Sequence, residues 1–145
     1  MPVKSLELRV YVHATEDRER VVESLKNVLG DWWNRARVAE EVYEGHYGNP
    51  VRVITVRIDN IEDANKALDY ILSRLGEGDR GVLLQSLEDR VDKEGTLYFR
   101  LSKQEAYLGR LLVYESDDVI RVAVSFQGRR RNAMEEYRRR LGGVE

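Results

Sequence analysis

Apolar and polar residues alternate strictly from Leu6 to His13. Leu6, Leu8, Val10 and Val12 share one parity, and Glu7, Arg9, Tyr11 and His13 share the other. A period of two predicts a strand with one buried face. The period then changes to that of a helix. Val21, Val22, Leu25, Val28 and Leu29 form one stripe, with Thr15 as a candidate cap, Glu16 and Asp17 in the first turn and Gly30 as the stop. Val38–Glu44 and Val51–Ile58 read as a strand pair joined by Gly45-His46-Tyr47-Gly48-Asn49-Pro50, a loop whose glycines and proline favour a turn. Asn60, with Asp63 three residues on, predicts a second helix that buries Ile61, Ala64, Leu68, Ile71, Leu72 and Leu75 and ends at Gly76. A short helix after Asp79 packs Leu83, Leu84 and Leu87. Thr96–Leu101 alternates again, with Leu97, Phe99 and Leu101 inward and Tyr98 and Arg100 outward. Leu111–Tyr114 and Val119–Phe126 read as a hairpin over Glu115–Asp118, its second strand burying Ile120, Val122, Val124 and Phe126. A last helix starts at Asn132, with Glu135 three residues on and a stripe of Met134, Tyr137 and Leu141.

One-sided alternation in several strands predicts an α+β fold, a largely antiparallel sheet with helices packed on one face and a polar face left open. The chain has no internal repeat and no low-complexity linker, so residues 1–145 read as a single domain with a basic C-terminal helix at 128–145. A domain of about 150 residues buries roughly 68–70% of its unfolded surface, enough for a core without staples.

Composition removes several classes of chemistry. The absence of cysteine excludes disulfides, thiolate metal sites and cysteine nucleophiles, and it fits a reducing, cytoplasmic setting. Apolar runs reach only about four residues, far from the ~20 of a membrane span, and Met1–Ser5 leads straight into alternation rather than a secretory signal. No export and no membrane partner are expected. Two isolated histidines, His13 and His46, supply no metal-ligand spacing. There is no G-x-S-x-G, no phosphate-binding glycine motif and no serine near a histidine, so neither a catalytic centre nor a cofactor is expected.

Charge narrows the partner. The net charge is −2, so attraction for nucleic acid has to come from a local patch. Of 24 basic residues only Lys4, Lys26, Lys66, Lys93 and Lys103 are lysine, a bias toward planar guanidinium recognition. The outward strand parity holds Arg9, Tyr11, His13, Tyr98, Arg100 and Arg121. Such a surface suits single-stranded RNA, whose bases stack on aromatic rings while guanidinium groups hold phosphates. A second patch is Arg129, Arg130 and Arg131, which precede a helix start, where the macrodipole disfavours positive charge. Arg9, Tyr11 and Arg100 on the sheet, with Arg129, Arg130 and Arg131, are therefore the expected RNA contacts. A competing reading stands beside this one: a protein-interaction module or homodimer that buries Tyr11, Tyr98 and the outward Val53.

Three stretches, His13-Ala14-Thr15-Glu16-Asp17, the loop Glu44–Val51 and Leu101-Ser102-Lys103-Gln104-Glu105-Ala106-Tyr107-Leu108-Gly109, occur in an order that resembles the archaeal conserved RNA-binding family described as predicted exosome subunits. That family is similar in fold to the ribosomal protein that binds 5S RNA. The resemblance spans Leu6 to Phe126 and implies a non-catalytic RNA-binding domain that works near an RNA-processing complex or ribosome biogenesis. It adds Lys103, Gln104 and His46 as further contacts.

Overall fold

The computed structural model describes residues 3–45 and 48–142. Strand β1 (Val3–Val12) runs through the centre of the sheet, between β3 (Pro50–Ile58) and β5 (Val119–Phe126). The edges are β2 (Arg37–Glu44), beside β3, and β4 (Leu97–Ser102), beside β5, and every neighbouring pair is antiparallel. The order β2-β3-β1-β5-β4 with helices over one face is the expected α+β architecture.

Strand periodicity puts the core on a single side of the sheet. Leu6, Leu8, Val10 and Val12 of β1, Ile54, Val56 and Ile58 of β3, and Val122 and Val124 of β5 all join one hydrophobic cluster. The β1–β5 register shifts between Val3 and Ser5, which lets Val3 and Leu6 both enter that cluster although an odd number of steps separates them. Helices α1 (Arg18–Leu29) and α2 (Ile61–Arg74) lie against β1, α2 also reaching β3. Next come α3 (Glu77–Gln85), the single turn α4 (Leu87–Arg90), α5 (Lys103–Tyr107), which packs on α1, and α6 (Arg130–Gly142), which packs on α3 and α2. A 3-10 turn over Gly30–Arg35 sets Trp32 and Trp33 against the core.

Local chemistry accounts for where the elements begin. Asn60 caps α2, its side chain accepting from the Asp63 amide at 2.9 Å, as its spacing predicts. Thr15 does not cap α1. Glu16 folds back to accept from the His13 amide at 2.9 Å, and Asp17 becomes the cap by accepting from Glu19 at 3.0 Å. Helix α3 starts at Glu77, ahead of Asp79 rather than after it, and the Asp79 carboxylate accepts from the Val113 amide at 2.9 Å. Helix α6 likewise begins at Arg130 rather than Asn132, its first turn closed by the Ala133 amide donating to the Arg129 carbonyl at 3.0 Å.

The expected hairpin of Leu111–Tyr114 with Val119–Phe126 is replaced by an edge-to-edge order of three segments. Strand β4 lies between them: β5 pairs with one side of β4, and residues 112–114 run along the other, where Ser102 N–H donates to Leu112 at 2.9 Å and Tyr114 N–H to Arg100 at 3.0 Å. The preference is hydrophobic, because Leu97, Phe99 and Leu101 are buried against the core, whereas of residues 111–114 only Leu111 is.

Helix α6 is tied to the sheet by a buried phenol. The Tyr137 hydroxyl lies 2.7 Å from the Gly95 carbonyl and 3.2 Å from that of Val124, and burial pushes its pKa up. Gly95 adopts φ 89° under α6, where a Cβ would stand 3.1 Å from that of Ala133. Tyr137→Phe leaves both carbonyls without that donor. It is expected to destabilise the fold by about 1–2 kcal/mol, read as a lower urea midpoint with an unchanged slope.

Candidate nucleic-acid interface

Antiparallel register sorts the open face of the sheet into rows that cross the strands. One row runs Ala39, Thr55, Arg9, Arg121, Arg100 from β2 to β4. Arg9 is directly opposite Arg121, and Arg121 directly opposite Arg100. Three guanidinium side chains thus stand on three adjacent strands, about 4.8 Å apart at the backbone. Like charges in directly opposed positions destabilise a sheet. Among the described residues, neither Arg9 nor Arg121 has a salt-bridge or hydrogen-bond partner, while the neighbouring Arg57 is matched by Glu7 at 2.7 Å and Asp59 at 2.9 Å. Arg100 is half-buried and reaches the Ser116 carbonyl at 3.4 Å and Glu115 at 3.9 Å.

Aromatic rings flank this row. Tyr98 is diagonal to Arg121, Tyr11 is two residues along β1 from Arg9, and Tyr43 lies close enough to Arg9 to feel its charge. All three are exposed. A hydrogen bond to Glu41 raises the Tyr43 pKa, and burial, then Asp92, raises that of Tyr98. A recess of about 320 Å³ opens between Tyr98, Arg100 and Arg121 on the sheet and Arg90 and Glu115 at the rim, where Arg90 donates to Glu115 at 2.8 Å. The outward Val53 is only 6% exposed within the single chain.

The structure brings Arg9 and Arg100 together through Arg121 and sets the other arginines apart. Arg129, Arg130 and Arg131 follow the far end of β5, at least five residues and about 17 Å of strand from Arg121. They open α6, in the helical layer. Arg130 is committed inside the molecule, donating to the Glu88 carbonyl at 3.2 Å and the Val91 carbonyl at 3.3 Å, whereas Arg129 and Arg131 are exposed. Further along the helix, Arg139 and Arg140 pair with Glu136, and Arg140 also reaches Asp69 at 3.3 Å and the Asn65 side chain at 2.5 Å.

Lys103 has a structural job as well. Its side chain is almost fully buried, and the ammonium donates to the Tyr11 carbonyl at 2.9 Å, to Glu16 at 3.0 Å and to Asp118 at 2.6 Å. That tie holds the end of β1, the entry to α1 and the turn before β5 to α5. Ser102 caps α5 by accepting from Glu105 at 3.1 Å, a Ser-x-x-Glu signal that was present in the sequence. Gln104 is exposed beside Lys103 on a recess of about 500 Å³ that Arg20 and Tyr107 also line. His46 lies outside the described residues. His13, Glu16 and Asp118 come within 4.8 Å of one another, a donor set that the sequence spacing does not reveal, because Asp118 is distant along the chain. The Lys103 ammonium already supplies a cation to two of the three.

A family model described as RNA binding matches residues 5–126. The chain belongs to that RNA-binding family. RNA-binding protein PAB1135 of Pyrococcus abyssi is 37% identical over 122 residues, which cover 83% of this chain and 79% of the relative. The uncharacterized protein MJ0213 of Methanocaldococcus jannaschii is 31% identical over 129 residues, 86% of this chain and 85% of that one. Among solved structures, the DUF54 protein Mth689 of Methanothermobacter thermautotrophicus is similar with a TM-score of 0.80 at 29% identity, covering 97% of this chain and 99% of its own. The span matched to the RNA-binding family contains the arginine row and Lys103 and stops short of Arg129–Arg131.

The outward parity of Arg121 is legible in the sequence, but the expected contacts do not include it. Its parity was readable from Ile120 and Val122; its position between Arg9 and Arg100 was not, because strand order is a tertiary fact. For Lys103 the expected outcome is structural. Lys103→Met leaves Glu16, Asp118 and the Tyr11 carbonyl without their shared donor, and stability should fall by about 1–3 kcal/mol. RNA affinity of the folded fraction, measured by fluorescence anisotropy below the melting range, should change less than about threefold.

Proposed function

We propose that this chain binds single-stranded RNA on the open face of its sheet, without catalysis. Arg9, Arg121 and Arg100 hold phosphates, and Tyr11, Tyr43 and Tyr98 offer stacking platforms. The observation that carries the reading is the run of three directly opposed arginines, two of them without an acidic partner among the described residues. Such a run disfavours the empty fold, and a polyanion relieves the repulsion. The acidic net charge agrees with a role for a local patch rather than bulk attraction. Membership of the RNA-binding family and the name of the Pyrococcus abyssi relative support the ligand class. In this reading Gln104 and His46 are peripheral contacts and Lys103 shapes the rim. Arg129 and Arg131 act as a second, weaker patch. The resemblance to predicted exosome subunits extends the proposal to a place in RNA processing or ribosome biogenesis, as an RNA-holding component. Among the described residues no helix is long and apolar enough to cross a membrane.

Alanine substitution of Arg9, Arg100 and Arg121 together tests the assignment. Each phosphate contact contributes about 0.7–0.9 to the slope of log affinity against log salt, so the triple variant should lose about 2–3 units of slope as well as affinity. Replacement of Arg129 and Arg131 should change the slope by about 1 unit or less. A triple variant that keeps the wild-type slope would overturn the assignment, provided its far-UV circular dichroism is unaltered.

A further inference from the structure

The two edges of the sheet are finished differently. Along β4 the chain covers its own edge: Ser102 and Arg100 exchange backbone hydrogen bonds with Leu112 and Tyr114, and isolated bridges join Leu101 to Val113 and Leu97 to Val91. Along β2 nothing comparable is present. Its eight residues pair with β3 in unbroken register from Arg37–Arg57 to Glu44–Pro50, and among the described residues no backbone bond outside that ladder reaches them. None of the eight is buried on either face, and Val38 and Val42 are 49% and 58% exposed.

An unpaired edge is a template for another strand, and proteins that keep it single blunt it with proline, lysine, a bulge or an inward-pointing charge. Arg37–Glu44 contains no proline, lysine or bulge. It does contain two inward-parity charges, Glu40 and the terminal Glu44, and two guanidinium groups already neutralise the central one: Arg18 approaches Glu40 at 2.6 Å and Arg52 at 3.1 Å. The Arg18 hydrogen bond, ahead of the other causes, holds the Glu40 carboxyl below its ordinary value.

We propose that β2 pairs antiparallel with β2 of a second copy of this chain, joining the two sheets into one of ten strands. The strand is complementary to itself in reverse. Arg37 stands at its start, beside Asp59 of its own chain, and Glu41 and Glu44 stand at its end, so an antiparallel copy sets the basic end of one strand beside the acidic end of the other. A twofold axis perpendicular to the sheet preserves faces, and only residues of like parity meet across it. Setting Val38 opposite Val42 of the second copy gives two apolar pairs and places Arg37 opposite the Tyr43 ring. The two Glu40 side chains then meet at the axis, each accompanied by its own Arg18 and Arg52. The acidic residues Glu40, Glu41 and Glu44 disfavour RNA as the occupant of this edge. The same symmetry turns both arginine rows toward one side, with the two Arg9 positions five strand spacings, about 24 Å, apart.

The test is sedimentation or light scattering of the full chain without RNA, from micromolar to near-millimolar concentration. The expected result is a monomer–dimer equilibrium ending at twice the chain mass of 16.9 kDa. Val38→Lys combined with Val42→Lys sets lysines opposite each other on both sides of the axis and should weaken association by about tenfold or more, with unchanged circular dichroism. On the wild-type chain, amides of β2 should exchange more slowly at high concentration than at low, whether or not the variant folds. A wild-type chain that is monomeric throughout overturns the proposal. So does a dimer whose β2 exchange is independent of concentration.

Discussion

Pairing of β1 with β5 in the register that sets Leu8 against Val122 fixes most of what this molecule offers its surroundings. With that register, Leu6, Leu8 and Val10 face the helices and Glu7, Arg9 and Tyr11 face out. A slip by one residue would send Arg9 into the core, which hydrophobic burial on the helical side forbids. The same register makes Arg9 and Arg121 direct neighbours, and the β4–β5 register adds Arg100. The charged row is thus a by-product of core packing in position, though not in residue type. Nothing in the core requires that three outward positions all be arginine.

The rest of the molecule spends its arginines internally, which sharpens the contrast. Arg57 joins Glu7 and Asp59, Arg74 donates to the Asn27 and Val28 carbonyls, and Arg140 spans Glu136 and Asp69. Arg130 is drawn into the same pattern by Glu88 and Val91. A chain of acidic net charge that neutralises most of its guanidinium groups locally keeps its field short-ranged. Against that background the unmatched Arg9 and Arg121 stand side by side on the sheet, and the proposed RNA contact rests on that pair.

Strand periodicity makes the sheet legible from residues alone, because a half-buried strand writes its two faces in alternation; β4 matches its expected bounds to within one residue, whereas β1 starts three residues earlier than the alternation from Leu6, where the register shift between Val3 and Ser5 breaks the pattern. Asn60 and its Asp63 partner likewise announced α2. What escaped the reading depended on contacts distant in sequence. Glu16 was diverted from the α1 turn by the His13 amide and by Lys103, so the cap moved to Asp17. Residues 112–114 chose the edge of β4 over β5. Lys103 stands out as a motif residue, but its partners, Tyr11 on β1 and Glu16 and Asp118 in two turns, lie far from it along the chain. The candidate site was half legible for the same reason: parity showed which side chains face out, and only strand order showed that Arg9, Arg121 and Arg100 form one row.

The most direct measurement of the central claim is a nuclear magnetic resonance titration of the arginine side-chain Nε–H groups with a short uridine-rich RNA. With RNA seated on the open sheet face, the signals of Arg9, Arg121 and Arg100 are expected to shift together, with one saturation curve, while those of Arg130 and Arg140 stay in place. Shifts confined to α6, with the three sheet arginines unmoved at saturation, would contradict it.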